Sequence, residues 1–412
     1  MENMKRRDFI KMGAIVSAGI PLGLRATPWL KNNAKKPITI GVIGTGDRGA
    51  YEAFILKETP GIKVVACCDI IPQNLKNGLQ EAGKGVKGYT DYKKLLRHKN
   101  MDAVLICTPQ HLHYQMAIDA IAAKKHIICQ KTMTLTTSDA LALSHTVKKT
   151  DRVFQVAYQW QSSPLFNKIH KMVSDGKCGQ ITHIRSNYNK NMDWRIETDD
   201  PAMERQLNWR MYREYSGGLM AELCSHHINI ANWMLNDVPH KVTGFGGIDY
   251  WKDGRETFDN VNTIFEYPGG VKASFQATIT NAYEDVSFII MGTEGSIVIK
   301  NEAGQVAHYF PEEKKLHNSL SEGELKNIDG ITSATRKAWA RGEGIPIEVE
   351  NNTIDDFETT RAMFLDFVDC VKNNKMPQSN IENGRDVAIA VDMAIKAMRN
   401  GTIEYWKPAY KG

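Results

Sequence analysis

A glycine-rich turn between an apolar strand and a helix-like segment constrains the fold of this chain most strongly. The segment ITIGVIGTGDRGA, residues 38–50, reads as a buried strand that runs into Gly44-x-Gly46-x-x-Gly49. Glycines at this spacing permit a tight turn and a close approach of the backbone to a pyrophosphate, which then lies at the positive N-terminus of the next helix. The pattern predicts the start of a dinucleotide-binding domain.

A carboxylate in the expected place supports this prediction. The apolar segment IKVVACCDI ends near Asp69, twenty residues after Gly49, where an acid accepts hydrogen bonds from the adenosine ribose hydroxyls. No arginine follows Asp69 directly, so a 2′-phosphate would meet an uncompensated negative charge, and NAD is predicted over NADP. The alternative is a doubly wound domain that has lost its ligand. The predicted cofactor-binding residues of this region are Gly44, Gly46, Asp47, Arg48, Gly49 and Asp69.

The chain continues with two different strand patterns. Up to about residue 158, short apolar strands such as MDAVLICTP alternate with helix-like segments, which indicates a parallel sheet with right-handed crossovers. Beyond it, longer strands are separated by glycine turns, which favours a mostly antiparallel sheet with one open face. We therefore predict an α/β protein: a Rossmann domain with a doubly wound parallel sheet over residues 36–158, and an α/β domain with an open-faced, mostly antiparallel sheet over 159–412. The C-terminal helices are expected to pack back on the core.

The N-terminus resembles an export signal. Arg6 and Arg7 precede a weakly apolar run from Met12 to Leu24, which is too short to span a bilayer. Paired arginines before such a run are typical of twin-arginine signals, which export folded proteins; the alternative is a basic amphipathic tail. Residues 1–35 are predicted to be a signal and linker, and the protein to be periplasmic or otherwise exported.

Charge and cysteine content exclude other classes. The net charge is +5, and most of it comes from the basic N-terminus, which gives no reason to expect a nucleic-acid partner. The seven cysteines show no C-x-x-C spacing, so a structural metal site is not predicted.

Several further motifs occur in order: TPQHLH (108–113), CQKT (129–132), DGKCGQITHI (175–184) and GGLMAELCSHHIN (217–229). With the glycine turn, they make the chain resemble the Gfo/Idh/MocA oxidoreductase family over roughly residues 37–410. The resemblance implies NAD- or NADP-dependent oxidation or reduction of sugars and polyols, and a homo-oligomer (dimer or tetramer) formed through the open sheet. It also places a second group of residues near the cofactor: Thr108, Pro109, His113, Gln130 and Lys131.

Lys131 is the first predicted catalytic residue. The family commonly has Glu-Lys-Pro where this chain has Gln130-Lys131-Thr132. An ammonium here can hydrogen-bond the reacting hydroxyl and stabilise a developing alkoxide. Without a neighbouring carboxylate the pKa of the lysine is expected to be lower than is usual in the family, and Gln130→Glu is expected to change the pH–rate profile. Because this chain has Thr132 where the family has Pro, the sequence does not predict the geometry of the turn that follows Lys131.

The segment GGLMAELCSHHIN supplies the other catalytic candidates. On a helix, Glu222 and His226 are four residues apart and can meet. His226 is the predicted general base or acid, with Glu222 orienting it or binding a substrate hydroxyl. His227 points about 100° away and serves either substrate contact or packing; it or Glu222 could abstract a C–H proton. The alternative is a metal bound by Glu222 with a histidine, and it is not predicted, because adjacent histidines diverge.

The residues around this segment suggest a sugar site. Aromatic rings and polar side chains provide a stacking face and hydrogen-bonding groups for a polyhydroxylated ring, although loop asparagines also occur for turn reasons. The predicted substrate-binding residues are Asn189, Trp194, Arg195, Trp209 and Arg210.

Three functions follow from these features. The first is an NAD-dependent oxidoreductase acting on a ring hydroxyl of a sugar or glycoside, with tightly bound cofactor because an exported enzyme has no free NAD pool. The second is a glycoside hydrolase that works by transient oxidation, elimination, hydration and re-reduction. The third is a non-catalytic sugar- or NAD-binding protein, which the presence of Lys131 and His226 disfavours.

Overall fold

The computed structural model describes residues 36–301, 305–312, 344–349 and 356–411. The predicted export signal, residues 1–35, lies outside these ranges. Within them the chain builds a six-stranded and a nine-stranded sheet. None of the helices in the described ranges has the length and apolar character needed to cross a membrane.

The strands and helices are numbered along the described chain. The strands are β1 (Ile38–Ile43), β2 (Ile62–Cys68), β3 (Lys87–Tyr89), β4 (Ala103–Ile106), β5 (His126–Cys129), β6 (Phe154–Val156), β7 (Ile181–Asn189), β8 (Lys241–Gly247), β9 (Asn260–Glu266), β10 (Lys272–Thr278), β11 (Val286–Gly292), β12 (Gly295–Asn301), β13 (Gln305–Pro311), β14 (Ile345–Pro346) and β15 (Glu404–Tyr405). The helices are α1 (Asp47–Glu58), α2 (Pro72–Ala82), α3 (Tyr92–Leu96), α4 (His113–Ala122), α5 (Thr137–Val147), α6 (Pro164–Ser174), α7 (Glu204–Leu207), α8 (Ser225–Leu235), α9 (Asp356–Asn373) and α10 (Ile381–Asn400).

The first sheet is a parallel Rossmann sheet, as predicted. Its order is β3-β2-β1-β4-β5-β6, and every pair in it is parallel. All residues of β1 and β4 are buried, as expected for strands covered by helices on both faces. The strand order reverses between β1 and β4, and ligands of such sheets bind at the carboxyl ends of the strands at this reversal.

The second sheet is mostly antiparallel, which confirms the prediction for the C-terminal part. Its order is β14-β13-β12-β11-β7-β10-β9-β8-β15, and β7 and β10 form a parallel pair within it. In β9, Val261, Thr263 and Phe265 are buried, whereas Asn262 and Ile264 are exposed. This alternation identifies one covered and one open face.

The helix α9 completes the cover of the Rossmann sheet. Its Phe364 and Phe367 are fully buried and share a core cluster with Ile40 of β1 and Leu56 of α1. The chain therefore returns, after building the second sheet, to close the first one. This return brings the N-terminal end of α9 next to α1, close to the glycine turn.

Candidate active site

The glycine turn has the geometry that a dinucleotide requires. Gly44 has φ +85°, and a Cβ atom there would lie 2.7 Å from the carbonyl carbon of Cys107. A Cβ on Gly49 would lie 1.9 Å from the Gly44 oxygen. In front of Gly46 the space is open, because a Cβ there would meet only Asn74, at 3.7 Å. The turn can hold a pyrophosphate against the N-terminus of α1, and its residues fit NAD.

Asp69 lies beside this turn. One of its carboxylate oxygens accepts the N–H of Thr45 at 2.7 Å, and the other accepts the N–H of Ile71 at 2.8 Å. These bonds orient the carboxylate at the end of β2, where it is expected to receive the ribose hydroxyls. Of the other residues predicted to bind cofactor, Arg48 directs its guanidinium at Glu52, Asp356 and Thr360.

Replacing Asp69 with alanine is expected to raise the Kd for NAD at least about tenfold, because charge-assisted hydrogen bonds to the ribose are worth about 1.5–3 kcal/mol. The measurement is a fluorescence titration of NAD, in the absence of substrate, on protein from which any nucleotide has been removed. Asp91→Ala, which removes a half-buried helix-capping carboxylate, is the control for general destabilisation. An unchanged Kd would contradict the assignment of Asp69.

His113 joins the ends of two Rossmann strands. Its Nδ1 lies 2.9 Å from the Thr132 oxygen, and its Nε2 lies 2.8 Å from the Thr108 oxygen. The ring is buried, and burial lowers the pKa of His113. His113 therefore holds together the segments that follow β4 and β5, which is a structural role beside the predicted cofactor site.

Lys131 follows β5 and reaches into the second part of the protein. Its ammonium donates to the backbone oxygen of Glu222 at 2.7 Å, and it lies 3.9 Å from the Glu222 carboxylate. Only 15% of the side chain is exposed. The peptide bond between Lys131 and Thr132 is cis. Burial lowers the pKa of Lys131 below its ordinary value, opposed by the charge of Glu222. The comparison with the Glu-Lys-Pro arrangement of the family stays a prediction.

Glu222 is the centre of the polar contacts in the site. Its Oε1 accepts a hydrogen bond from Gln110 Nε2 at 2.7 Å, and its Oε2 accepts one from Arg210 Nε at 2.8 Å. Although burial acts to raise it, the pKa of Glu222 is lowered by the positive charges of Lys131 and Arg210. Glu222 is thus an ionised carboxylate at neutral pH that balances the charge of the lysine.

The expected contact between Glu222 and His226 does not form. Residues Met220–Cys224 form a π-helical turn that leads into α8. Both oxygens of the Glu222 carboxylate are taken by groups from other elements. The Glu222 carboxylate instead contacts Gln110 and Arg210, and within the described part of the chain His226 Nδ1 is buried without a hydrogen-bond partner.

His226 nevertheless remains in the site. Its ring centroid lies 5.0 Å from that of Trp160 and 6.0 Å from that of Tyr158. Burial holds the pKa of His226 well below its usual value, and the charge of Lys131 acts in the same direction. The imidazole is therefore neutral near pH 7 and can accept a proton.

His227, also on α8, lies among aromatic rings. Its ring is completely buried, with centroid distances of 5.3 Å to Trp160, 5.7 Å to Tyr188 and 5.6 Å to Phe288. Among the described residues neither ring nitrogen has a hydrogen-bond partner. This environment favours packing over substrate contact.

The burial of His227 predicts a pH-dependent stability. Burial lowers its pKa to about 3 from an ordinary value of 6.5, so the unfolded chain binds an additional proton as the pH falls from 6.5 towards 3. The free energy of unfolding therefore decreases as the pH falls from 6.5 towards 3, by at most about 1.4 kcal/mol per pH unit for one group. The melting temperature of His227→Phe should fall less than that of the wild type between neutral and acidic pH. The exposed His183→Phe is the control, and an equal fall in His227→Phe would contradict the prediction.

The predicted substrate-binding residues divide into two groups. Arg210 contacts Glu222, and its guanidinium carbon lies 4.2 Å above the ring of Trp209. Arg195, in contrast, pairs with Glu204 and Asp253. Of the remaining two, Asn189 donates to the Tyr283 oxygen at 2.8 Å, and Trp194 packs partly buried on the core. Arg210 is thus the one that the fold brings to the Glu222 carboxylate, and Trp209 packs against Arg210.

Two residues of the site were not singled out from the sequence. Gln110 donates to Glu222, while its oxygen accepts the N–H of Gly217 at 2.9 Å, so it connects the TPQHLH motif with the glycine pair. Trp160 lies between the rings of His226 and His227. Its position just after β6, at the carboxyl edge of a parallel sheet, was a signal that could have identified it.

Family models match both parts of the chain. A model for the oxidoreductase family with an NAD-binding Rossmann fold matches residues 38–158, and a model for the GFO/IDH/MocA C-terminal domain matches residues 166–298. Together the two matches cover more than half of the chain. The protein belongs to the Gfo/Idh/MocA family of oxidoreductases. It is an enzyme, and its cofactor is NAD.

Individual relatives are more distant. Levoglucosan dehydrogenase of Pseudarthrobacter phenanthrenivorans is 27% identical over 64% of this chain and 74% of its own length. The NAD(+)-dependent scyllo-inositol 2-dehydrogenase of Bacillus subtilis is 25% identical over 88% of this chain and 95% of its own. The 2,7-anhydro-N-acetylneuraminate hydratase of Escherichia coli is 24% identical over 74% and 80%. A structure of levoglucosan dehydrogenase with NADH and levoglucosan superposes with a TM-score of 0.72 at 20% identity, covering 90% of this chain and 99% of that one.

Proposed function

We propose that this enzyme oxidises or reduces a ring hydroxyl of a sugar or glycoside and retains NAD through its catalytic cycle. The observation that carries the proposal is the arrangement of Lys131, neutral His226 and ionised Glu222 at the carboxyl edge of the Rossmann sheet. Two of the relatives are named for reactions on levoglucosan and scyllo-inositol, which are both polyhydroxylated rings.

Each of these residues has a distinct task. NAD, when bound, supplies the acceptor or donor of the hydride at the carbon that carries the hydroxyl. Because Nδ1 of His226 is buried, its other nitrogen, Nε2, would accept the hydroxyl proton. The Lys131 ammonium donates to the same oxygen and stabilises the negative charge that develops there. Glu222, held by Gln110 and Arg210, keeps the ammonium in place.

The ultraviolet–visible spectrum of the purified, desalted protein tests this function. A panel of sugars and glycosides, including levoglucosan and scyllo-inositol, is then added and products are followed. A retained cofactor band that changes stoichiometrically and then stalls is expected for an oxidoreductase that waits for a second substrate. Turnover only with added NAD would contradict retention of the cofactor, and no spectral change or product with any sugar would contradict the substrate class.

A second candidate is net hydrolysis of a glycoside by transient oxidation. The similarity to a protein named as a hydratase of an anhydro sugar supports this candidate, because a hydratase also adds water to its substrate. Free sugar released over many turnovers, with no added NAD, would select this candidate over the dehydrogenase.

The sequence of residues 1–35 supports export by the twin-arginine route. Arg6 and Arg7 are the pair on which this part of the proposal rests. A fusion of residues 1–35 to a reporter that is active only after export should be exported, and the double variant Arg6→Lys/Arg7→Lys should not. Export of both fusions to the same extent would contradict a twin-arginine signal.

The open face of the second sheet supports a homo-oligomer. Phe245 on β8 is 86% exposed, Ile264 on β9 is 51% exposed and Tyr405 on β15 is 58% exposed. The strand register places all three on the same face, and exposed apolar patches of this kind mark protein interfaces. Light scattering should show a dimer or tetramer for the wild type and a smaller species for Phe245→Asp. A monomeric wild type would contradict this part of the proposal.

A further inference from the structure

Glu52 is a buried carboxylate close to the site that the roles above do not use. It lies on α1, just behind the glycine turn, and is completely inaccessible to solvent. Its Oε1 accepts hydrogen bonds from Arg48 Nε, at 2.7 Å, and from Gln130 Nε2. Its Oε2 accepts one from the Cys107 thiol at 3.4 Å. A buried carboxylate is costly unless it is paired and hydrogen-bonded, and here both conditions are met.

The partners of Glu52 lead in two directions. Arg48 shares its charge with Asp356 and also donates to Thr360, both on α9. Gln130, on the other side, is the residue immediately before Lys131. Glu52 is therefore connected to the catalytic lysine through a single side chain.

The charges that surround Lys131 come from several elements. The positive or titratable groups are Arg210, next to Glu222; His226, on α8; Arg48, on α1; and His113, on α4. The carboxylates that act on the lysine are Glu222 and Glu52. Because Glu222 is already shared between Arg210 and Lys131, removal of Glu52 would leave the lysine facing an excess of positive charge.

We propose that Glu52 is a positioning residue for Lys131, whose carboxylate fixes the Gln130 side chain and supplies the second negative charge beside the ammonium. The glycine-turn helix α1 thus contributes to the protonation state of the lysine as well as to nucleotide binding. The inference rests on the proposed function only in assigning Lys131 to the reacting hydroxyl.

Substitutions at positions 52 and 130 should differ in their effects. In Gln130→Glu the hydrogen bond from the Gln130 amide to Glu52 would be lost and two carboxyl groups would face each other. This variant therefore does not isolate the effect of one charge on Lys131. Glu52→Gln removes the charge with almost no change in shape. The double variant Glu52→Gln/Gln130→Glu exchanges the two groups, so that the amide is at position 52 and the carboxyl is at position 130.

Trace acetylation tests the proposal without any sugar substrate. The full-length protein is treated with a small amount of acetic anhydride over a pH series, and the modification of Lys131 is quantified by peptide mass spectrometry, because only the neutral amine reacts. We expect the labelling midpoint to move about one pH unit lower in Glu52→Gln and to lie at or above the wild-type value in the double variant. Glu58→Gln, on the exposed side of α1, is the matched control and should leave it unchanged.

An unchanged midpoint in Glu52→Gln would overturn the proposal and reduce Glu52 to a structural partner of Arg48. If Glu52→Gln does not fold, as judged by its melting curve, the labelling midpoint is measured in the double variant instead. A midpoint below the wild-type value in that variant overturns the proposal. A shifted midpoint in a protein that turns over no sugar would support the role of Glu52 while contradicting the proposed function. The two failures are therefore distinguishable.

Discussion

Lys131→Met should lower kcat/KM about 10²–10³-fold with any sugar substrate found in the panel. The ammonium is placed to donate to the oxygen on which negative charge develops, and loss of one such donor has an effect of this size. Methionine keeps most of the length of the side chain without a hydrogen-bond donor. The measurement is the rate of the single-turnover change in absorbance of the bound cofactor over a series of sugar concentrations.

Two comparisons make this result specific. Lys131→Arg keeps the positive charge but cannot release a proton at ordinary pH, so it should retain more activity than Lys131→Met if charge stabilisation is the main contribution. A fluorescence titration should show that both variants still bind NAD, because Asp69 and the glycine turn are untouched. Activity of Lys131→Met within a few-fold of the wild type would remove the lysine from the mechanism.

His226→Asn should lower kcat/KM by about 10²–10⁴-fold, the usual contribution of a positioned general base. The neutral ring of His226 lies beside Trp160 and close enough to Lys131 to be influenced by its charge. Asparagine preserves a polar side chain of similar size but cannot accept the proton. Rates should be measured across pH, because the wild-type dependence on a titrating base should disappear in the variant.

The exposed His183→Asn is the control for this loss, because His183 lies on β7 away from these contacts. Turnover by His226→Asn with the wild-type pH dependence would contradict the assignment of the base. A comparison with His227→Phe separates the two adjacent histidines. If His227 only packs among aromatic rings, its replacement should leave the pH dependence of turnover intact.

The Rossmann half of the fold could be predicted because its signals are local. The spacing of Gly44, Gly46 and Gly49 specifies a turn, and the apolar runs of β1 and β4 specify strands buried on both faces. Asp69 could be assigned in the same way, since its position depends only on the length of one helix and one strand. The alternation within β9 similarly predicted a sheet with one open face.

The helix in GGLMAELCSHHIN was predicted with the wrong local geometry. A regular α-helix was predicted to pair Glu222 with His226. The segment instead contains a π turn at Met220–Cys224, and the Glu222 carboxylate is bound by Gln110 and Arg210. A π turn depends on which backbone and side-chain groups from elsewhere stabilise it. Here the Glu222 oxygen that accepts from Lys131 comes from this turn.

Sequence alone thus determined the nucleotide-binding turn and the strand classes of both sheets, and it selected Lys131 and His226 as candidates. The tertiary structure decided the partners of those residues. Glu222 meets Gln110 across 112 residues of chain, and Gln130 meets Glu52 across 78. Periodicity and spacing report on neighbours within a few turns, whereas contacts over such distances depend on how helices and sheets pack. The charge environment of the lysine is therefore a property of the packed molecule rather than of any motif.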